Sequence, residues 1–441
     1  MPDESKAPTV SQGDHRRLGL SLSGGGSRAA AFHVGTLAGL QEIGLLEDID
    51  VASSVSGGSV LAGAWLASRW QGNHFDAFEK KITVELERGF IARSLNLRAV
   101  KLLLPSYTRS HLLAETFDDA LMHGMTLAQL PVRPLLSINT SVMNTGQVGR
   151  FSRDGFSSTG LFPPGQVQQS SNPAIPLPDF PVALAVTASA AFPVGLPPVY
   201  LTRGKQIPSG WIDVTLQGHR RIALTDGGVL ENLGVQTLLK SRRFGAWDFI
   251  ISDAGRKEQP WKPGGILNNL RGALMGLISF PILERVTVMM NTKENRQMRA
   301  AAFSDLERSW LIEELRGNRS LGIESYLQFQ PSLPRRRILF VRLDQTLKAL
   351  LQDIPRWRLE ELASTAGGNL PTAFSPTIES FSALNVDLRP AIDIHSALGG
   401  DSRIAELNQI GTHFSAIGRN DLVDLQAHAR WQVHALHAIF W

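Results

Sequence analysis

The sequence predicts an α/β fold with a central, mostly parallel sheet flanked by helices. Near the amino end, a short apolar run at 18–23 enters a glycine turn, and a helix-forming stretch follows at 29–43. The same order of strand, turn and helix recurs at 50–55 and 57–70. Two such units within about 50 residues favour parallel strands, because a parallel pair needs a crossover connection that is usually a helix.

Later segments extend this predicted sheet and add helices to it. Further strands are predicted from short apolar runs bounded by turn residues, at 134–140, 221–225, 247–253 and 338–343. Helices are predicted from apolar residues at helical spacing, at 75–130 with a break at Pro105, at 184–191 and at 256–330. The stretch 152–180 is rich in Ser, Gly, Pro and Gln, and it is expected to be a surface loop.

Composition limits the classes of function. The chain of 441 residues has 44 Lys and Arg against 40 Asp and Glu, and this net charge of +4 does not favour a nucleic acid polymer as partner. Cysteine is absent, which excludes disulfides, thiolate metal sites and a cysteine nucleophile. Neither a signal peptide nor an apolar run of about 18 residues is visible. A cytoplasmic or peripheral membrane protein is therefore expected, and secretion as an effector stays open.

A serine lies where the second predicted strand meets its helix, within Ser54-Val55-Ser56-Gly57-Gly58. Small neighbours permit the tight, strained turn that exposes a nucleophilic serine, and the helix that follows directs its amides towards it. The pattern is a G-x-S-x-G elbow in which Ser54 replaces the first glycine. On this pattern alone, a purely structural turn is the favoured interpretation.

The first predicted strand is followed by three consecutive glycines, Gly24, Gly25 and Gly26. Unobstructed glycine amides suit an oxyanion hole, and Arg28 would add positive charge nearby. The stretch from Gly24 to Ala29 also fits the dinucleotide fingerprint G-x-G-x-x-G/A. That fingerprint expects an acidic residue at the end of the second strand, where this chain has serines. A nucleotide-binding protein is therefore the alternative at this point.

A carboxylate ends another predicted strand, in Asp226-Gly227-Gly228. Ligands of open α/β sheets bind at the carboxyl ends of the strands, so Asp226 could reach a site there. Taken alone, the motif is typical of an ordinary Asp-Gly turn.

No histidine stands in a recognisable catalytic context. His33 falls within the first predicted helix and is interpreted as a packed helix residue. His428, His434 and His437 fall near the carboxyl end with spacings that suggest one helix face. Because carboxylates at matching spacing are lacking, a surface or interface helix is predicted there rather than a metal site.

Together, these motifs resemble the patatin-like phospholipase family. The resemblance is carried by GGGSRAAAFHVG (24–35), the serine elbow, PLLSINTSVMNTGQVGRF (134–151), TASAAFPVGLPPV (187–199), DGGVLENLGV (226–235) and Ser252-Asp253-Ala254-Gly255. It covers roughly residues 18–255, and the order and spacing of the motifs make it specific.

This resemblance implies roles for individual residues. Ser56 would be the nucleophile and Asp226 the other half of a Ser-Asp dyad without a histidine relay, while Gly58, Gly227 and Gly228 would complete the two turns. Gly24, Gly25 and Gly26 would line the oxyanion hole, with Arg28 near them. Ser54 departs from the usual glycine of the elbow, whereas Gly228 is a variant that the family accepts.

The resemblance also implies the substrate and the division of the chain. Glycerophospholipid esters are the expected substrates, neutral acylglycerols are the alternative, and no metal or organic cofactor is implied. Residues 1–17 are expected to form a disordered tail, 18–255 the catalytic core and 256–441 a mainly helical portion of the same domain. A scaffold or effector without catalysis is disfavoured because both dyad residues are present.

A basic segment lies within the carboxyl-terminal portion. Residues 256–299 contain eight Lys or Arg and three Asp or Glu, with apolar residues at helical spacing between them. Such a helix can form a lid or contact an anionic membrane, and it can equally face the core. An activating partner or small molecule is conceivable from the resemblance, but no residue set argues for one.

Overall fold

A nine-stranded mixed sheet forms the centre of the protein. The computed structural model describes residues 17–94, 97–104, 107–159, 161–162, 173–193, 195–213, 220–240, 248–255, 337–411 and 413–441. The predicted fold class, a central sheet flanked by helices with a helical carboxyl-terminal portion, is confirmed. Apart from Arg17 the predicted tail lies outside the described residues, and so do the predicted helices of 256–330 and the basic segment 256–299.

The described residues contain the following strands and helices. The strands are β1 (Leu18–Leu22), β2 (Ile49–Val55), β3 (Leu135–Val142), β4 (Gln147–Ser152), β5 (Gly155–Ser158), β6 (Leu161–Phe162), β7 (Val199–Thr202), β8 (Ile212–Asp213), β9 (Arg221–Asp226), β10 (Asp248–Asp253) and β11 (Ile338–Arg342). The helices are α1 (Gly26–Glu42), α2 (Gly57–Trp70), α3 (Phe75–Arg88), α4 (Phe90–Ser94), α5 (Arg109–Phe117), α6 (Val182–Ser189), α7 (Val235–Lys240), α8 (Leu347–Gln352), α9 (Arg356–Thr365), α10 (Ile378–Ala383), α11 (Arg389–Ala397), α12 (Gly400–Leu407) and α13 (Arg419–Phe440). A 3₁₀ helix spans Leu97–Leu103.

The sheet has a parallel part and an antiparallel part. Five strands run parallel in the order β11-β10-β1-β2-β3. Beyond them, β4 and β5 are antiparallel, and β9 and β7 form a second antiparallel branch from β3. The sequence patterns predicted the parallel part, and the antiparallel strands extend it.

The prediction of a surface loop over 152–180 is wrong for its first residues. The strand β5 lies there and pairs with β4 at the edge of the sheet. Its buried Phe156 packs 4.9 Å from Phe151, measured between ring centroids. Because β5 has only one apolar anchor among Ser and Gly, its composition is that of a loop, and only the pairing with β4 makes it a strand.

Two strands share one edge of β3. The residues of β2 pair with Leu135–Asn139, and the residues of β9 pair with Thr140–Val142, while β4 occupies the opposite edge. The strand β2 runs parallel to β3 and β9 runs antiparallel to it. The carboxyl ends of β2 and β9 therefore meet head to head, with Val55 opposite Asn139 and Asp226 opposite Thr140.

Helices cover both faces of the parallel part of the sheet. Ala52 and Ile250 belong to a large apolar cluster that includes residues of α1 and α13. Their neighbours Val51 and Ile251 belong to a second cluster with Leu238 of α7. Successive strand residues point to opposite faces, so β2 and β10 are buried on both sides.

The first helix packs closely against the last. An added Cβ at Gly35 would lie 2.0 Å from the carbonyl oxygen of Gln426, and one at Gly39 would lie 2.9 Å from Cβ of Val433. These glycines lie one turn apart on the same face of α1, so they let α13 approach the α1 backbone. The last helix therefore holds in place the helix that begins at the glycine turn.

We expect Gly35→Ala to destabilise the protein by about 1–3 kcal/mol, since the added methyl group must displace the α13 backbone. Urea unfolding followed by tryptophan fluorescence would measure this change. Gly368→Ala is the matched control, because the nearest atom to its added Cβ is a carbonyl oxygen 3.9 Å away. Its expected change is below about 0.5 kcal/mol. Equal stability of the two variants would contradict the close approach.

Candidate active site

Ser56 lies between β2 and α2 in a strained backbone conformation. Its φ is 49° and its ψ is −117°, outside the regions that side-chain-bearing residues normally adopt. Such a conformation costs about 1–3 kcal/mol and persists only where surrounding contacts impose it. The predicted sharp turn at this serine is therefore present.

A hydrogen bond to Ser189 helps to hold this conformation. The Ser56 amide donates to the Ser189 hydroxyl oxygen at 2.9 Å. The Ser189 hydroxyl in turn donates to the carbonyl oxygen of Asn139 at 2.5 Å. Because Asn139 belongs to β3, the turn is tied to the strand on which β2 and β9 meet.

The hydroxyl of Ser54 forms hydrogen bonds with buried neighbours of the same region. It accepts a hydrogen bond from the Ser59 hydroxyl at 3.0 Å and donates to the Ser137 carbonyl at 3.3 Å. The Ser59 oxygen also lies 2.9 Å from that of Ser189. All four serines are buried, so the departure from glycine at this position adds a partnered hydroxyl rather than an unsatisfied one.

Glycines after Ser56 let α2 begin directly against the first glycine turn. An added Cβ at Gly57 would lie 2.2 Å from the carbonyl oxygen of Gly26. One at Gly58 would lie 2.4 Å from the carbonyl oxygen of Leu22. No larger residue fits at either place, and the amino end of α2 therefore lies beside that of α1.

Asp226 reaches Ser56 across the junction of the two strands. The Ser56 hydroxyl donates to Oδ2 of Asp226 at 2.8 Å. The other carboxylate oxygen, Oδ1, accepts from the amide of Gly228 at 2.8 Å. The turn after the strand packs tightly, since an added Cβ at Gly227 would lie 2.5 Å from the Asn139 carbonyl oxygen. Both carboxylate oxygens are thus fixed.

Burial changes the acidity of this carboxyl group. Asp226 is 4 % exposed, and this burial raises its pKa to about 6, while its hydrogen bonds from Ser56 and Gly228 oppose the rise. A carboxylate of this pKa is ionised near neutral pH and binds a proton more readily than an exposed Asp does. It has the acidity that a general base needs.

The first glycine turn borders Ser56. An added Cβ at Gly24 would lie 3.2 Å from Cβ of Ser56. The Gly24 amide was predicted to line the oxyanion hole with those of Gly25 and Gly26, but it donates to the carbonyl oxygen of Asn232 at 3.0 Å. Gly25 and Gly26 both have positive φ, and among the described residues neither amide donates a hydrogen bond. Two amides at the start of α1 are therefore available to a negatively charged oxygen near Ser56.

Arg28 is buried beneath this turn, and its guanidinium binds two carbonyl groups. It donates at 2.8 Å to the oxygen of Ala254, after β10, and at 2.8 Å to that of Ile410. The predicted positive charge therefore lies near Gly25, where an added Cβ would be 3.4 Å from Nη2. These contacts also tie the glycine turn to the carboxyl-terminal portion of the chain.

His33 supports the same turn from inside the core. Its Nε2 lies 2.9 Å from the carbonyl oxygen of Ser23, and its Nδ1 lies 2.7 Å from the hydroxyl of Ser252. Since a carbonyl oxygen only accepts, Nε2 carries the proton and Nδ1 accepts from Ser252. Burial lowers the pKa of His33 to about 4, so the ring is neutral. It fixes the residue before the glycines and makes no hydrogen bond to Ser56 or Asp226.

Two of the three histidines near the carboxyl end have different surroundings. His428 is buried, where its Nε2 donates to the Leu343 carbonyl at 2.8 Å and its Nδ1 accepts from Trp431 at 3.0 Å. His434 instead lies 2.8 Å from a carboxylate oxygen of Glu42 at the end of α1. Among the described residues, no group of three or more metal-binding side chains occurs.

The sequence model described as patatin-like phospholipase matches residues 20–239, a span that includes the serine turn, β3, Ser189 and Asp226. Residues 20–239 belong to the patatin-like phospholipase family. This match supports lipid hydrolase activity. No curated protein matches the chain significantly.

Solved structures resemble the chain distantly. Human GIVD cytosolic phospholipase A2 in complex with methyl gamma-linolenyl fluorophosphonate is 14% identical at a TM-score of 0.44, over 96% of this chain and 59% of that one. VipD from Legionella pneumophila is 16% identical at a TM-score of 0.30, over 84% of this chain and 64% of its own. The chain spans about three fifths of the length of these two proteins. Likenesses of this size support no functional conclusion.

Two residues of the patatin-like domain lie at the site although their positions were not singled out from the sequence. Ser189 ends a helix of small apolar residues, and a buried hydroxyl in such a helix signals a required partner. Asn232 lies between the two glycine turns, since its Oδ1 is 2.2 Å from an added Cβ at Gly24 and 2.6 Å from one at Gly228. No local pattern marks Asn232, because its neighbours come from distant parts of the chain.

The buried carboxyl group predicts a pH-dependent gain in stability for Asp226→Asn. In wild type, Asp226 keeps its proton up to about pH 6 when folded but only to about pH 4 when unfolded, so stability falls as pH rises through this window. The variant cannot ionise, and we expect it to be more stable than wild type by about 1–3 kcal/mol near pH 7.

Chemical denaturation of wild type and Asp226→Asn at several pH values would measure this difference. The gain should vanish below about pH 3, where the wild-type carboxyl group is protonated in both states. If Asp226→Asn were more stable than wild type by the same amount at the lowest pH and near pH 7, ionisation of Asp226 would not be the cause.

Proposed function

We propose that the protein is a lipid acyl hydrolase that cleaves fatty-acyl esters of glycerophospholipids, with Ser56 as nucleophile and Asp226 as general base. The observation that carries the proposal is the 2.8 Å hydrogen bond from the Ser56 hydroxyl to a buried carboxylate of raised pKa. Membership of the patatin-like family supports the class of substrate.

The reaction begins when the Ser56 oxygen attacks the ester carbonyl carbon and its proton passes to Oδ2 of Asp226. The carbonyl oxygen becomes an oxyanion, which the amides of Gly25 and Gly26 stabilise. Collapse of this intermediate breaks the ester bond, and Asp226 returns the proton to the departing alcohol oxygen. The acyl group is then bound to Ser56.

Hydrolysis of the acyl-enzyme repeats these steps with water. Asp226 takes a proton from a water molecule as that molecule attacks the acyl carbonyl carbon. The proton passes to the Ser56 oxygen as the fatty acid leaves, which restores the starting state. The strained turn keeps Ser56 directed at the carboxylate throughout, so no reorganisation of the backbone is needed.

Other parts of the site serve this chemistry indirectly. Arg28 and His33 position the glycine turn, and Ser189 positions the Ser56 backbone. The dinucleotide alternative gives no role to the contact between Ser56 and Asp226, whereas the hydrolase proposal uses it directly. A choice between phospholipid and neutral acylglycerol substrates rests on family membership alone.

We expect a fluorophosphonate probe to label wild type and to leave Ser56→Ala unlabelled. Hydrolysis of phospholipid and of a soluble ester should fall by about a thousandfold or more in that variant. Ser396→Ala, which changes an exposed serine of α11, is the control and should retain labelling and activity. Persistent labelling of Ser56→Ala would contradict the assignment of the nucleophile.

The pKa of Asp226 predicts the pH dependence of the reaction. Because the base must be ionised, kcat/KM for a soluble ester should fall about tenfold per pH unit below about pH 6 and level off above it. A pH profile from about pH 4 to about pH 8 would measure this inflection. A rate that stays constant down to pH 4 would exclude a base of raised pKa.

A further inference from the structure

Exposed apolar side chains are concentrated in one segment, which begins in α4 and continues through the 3₁₀ helix Leu97–Leu103. Five of them lie within 14 residues, and we call this set the apolar strip: Ile91, Val100, Leu102, Leu103 and Leu104. Leu103 is 84 % exposed and Val100 is 66 % exposed. Elsewhere in the described residues, large exposed apolar side chains are scattered singly along the chain. A concentration of this kind marks an interaction surface, whereas single exposed residues are ordinary.

The segment around the apolar strip is also cationic. Residues 89–114 contain four basic residues, Arg93, Arg98, Lys101 and Arg109, and no acidic residue. Lys101 binds the carboxylate of Glu115 at 2.9 Å, and Arg93 binds that of Glu85, so acidic residues outside the segment partner two of them. Residues 85–115, which include both of these partners, contain five basic and three acidic residues, so the segment with its partners keeps a formal charge of 5 − 3 = +2 beside its apolar side chains.

The amino end of this segment is attached next to the first glycine turn. The amides of Phe90 and Ile91 both donate to the carbonyl oxygen of Phe414 at 3.1 Å. The preceding carbonyl, that of His413, accepts from the amide of Ser27 at 3.3 Å, in the first turn of α1. Ile91 is therefore close in the structure to the amides that border Ser56.

The carboxyl end of the segment is attached to the stretch between α6 and β7, which also contacts Asp226. The Ser110 hydroxyl donates to the carbonyl oxygen of Pro197 at 2.5 Å. Six residues earlier, the carbonyl of Ala191 accepts from the amide of Asp226 at 3.0 Å. The apolar strip thus lies between two attachments, one to the residues that contact the first turn of α1 and one to the residues that precede β7.

We infer that the apolar strip docks the entrance of the active site on an anionic lipid surface. Apolar side chains would enter the boundary between headgroups and acyl chains, and the surrounding cations would attract anionic headgroups. The choice of a lipid surface rests on the proposed acyl hydrolase function, because an ester substrate in a bilayer can then enter the site without crossing water. No described helix is both long and apolar enough to span a membrane.

Vesicle sedimentation tests this inference in a Ser56→Ala background, so that lipid is not consumed. The vesicles contain equal parts of phosphatidylcholine and phosphatidylglycerol, and a second set contains phosphatidylcholine alone. The double variant Leu103→Ser, Leu104→Ser should bind the anionic vesicles roughly tenfold or more weakly than its parent. The parent should bind vesicles of phosphatidylcholine alone more weakly than anionic ones.

Val132→Ser is the matched control. Val132 is 72 % exposed, but it precedes the amino end of β3, at the opposite end of the strand from the candidate site. The binding of Val132→Ser to anionic vesicles should stay within about twofold of the binding of the parent. In the active protein, the double variant should hydrolyse a soluble short-chain ester at the wild-type rate but vesicle phospholipid several-fold more slowly.

Several outcomes would overturn the inference. The first is failure of the parent to bind anionic vesicles, and the second is equal binding by the parent and the double variant. The third is a loss of binding in Val132→Ser as large as that in the double variant. Equal binding would also leave a protein partner as the occupant of the strip. A failure of the proposed function is distinguishable, because wild type would then lack esterase activity while strip-dependent vesicle binding persisted.

Discussion

The site depends on two strands that meet head to head along one edge of β3. The strand β2 ends opposite Asn139 and β9 ends opposite Thr140, so Ser56 and Asp226 leave their strands at the same place from opposite directions. Their hydrogen bond follows from this register rather than from proximity in the sequence, since 170 positions separate them. A shift of β9 by one residue would turn the Asp226 side chain to the other face of the sheet.

The same junction stores two unfavourable features. Ser56 has a positive φ, and Asp226 is buried where ionisation is costly. Both persist because hydrogen bonds restrain them. The Ser56 amide donates to the Ser189 hydroxyl, and the Gly228 amide donates to the Asp226 carboxylate. Stability is thus given up at the place where the proposed nucleophile and the proposed general base lie, as is common at functional sites.

Residues of the carboxyl-terminal portion, which lie beyond the 20–239 matched by the family model, also help to hold the candidate site. The last helix packs on α1 at Gly35, and the carbonyls of Ile410 and His413 receive hydrogen bonds from Arg28 and Ser27. These contacts fix the start of α1, where the amides of Gly25 and Gly26 lie. The carboxyl-terminal portion therefore supports the geometry of the proposed oxyanion hole.

The sequence by itself determined the parallel part of the sheet and the positions of Ser56, the glycine turn and Asp226, because strands, tight turns and helices are encoded by short-range patterns. The tertiary structure decided the antiparallel direction of β9, the strand character of β5, the contact of Ser189 with Ser56 and the place of Asn232 between the two turns. Each of these depends on partners far away in the chain. No local pattern specifies which distant strand edge or hydroxyl will be adjacent, since that adjacency arises only when the sheet assembles.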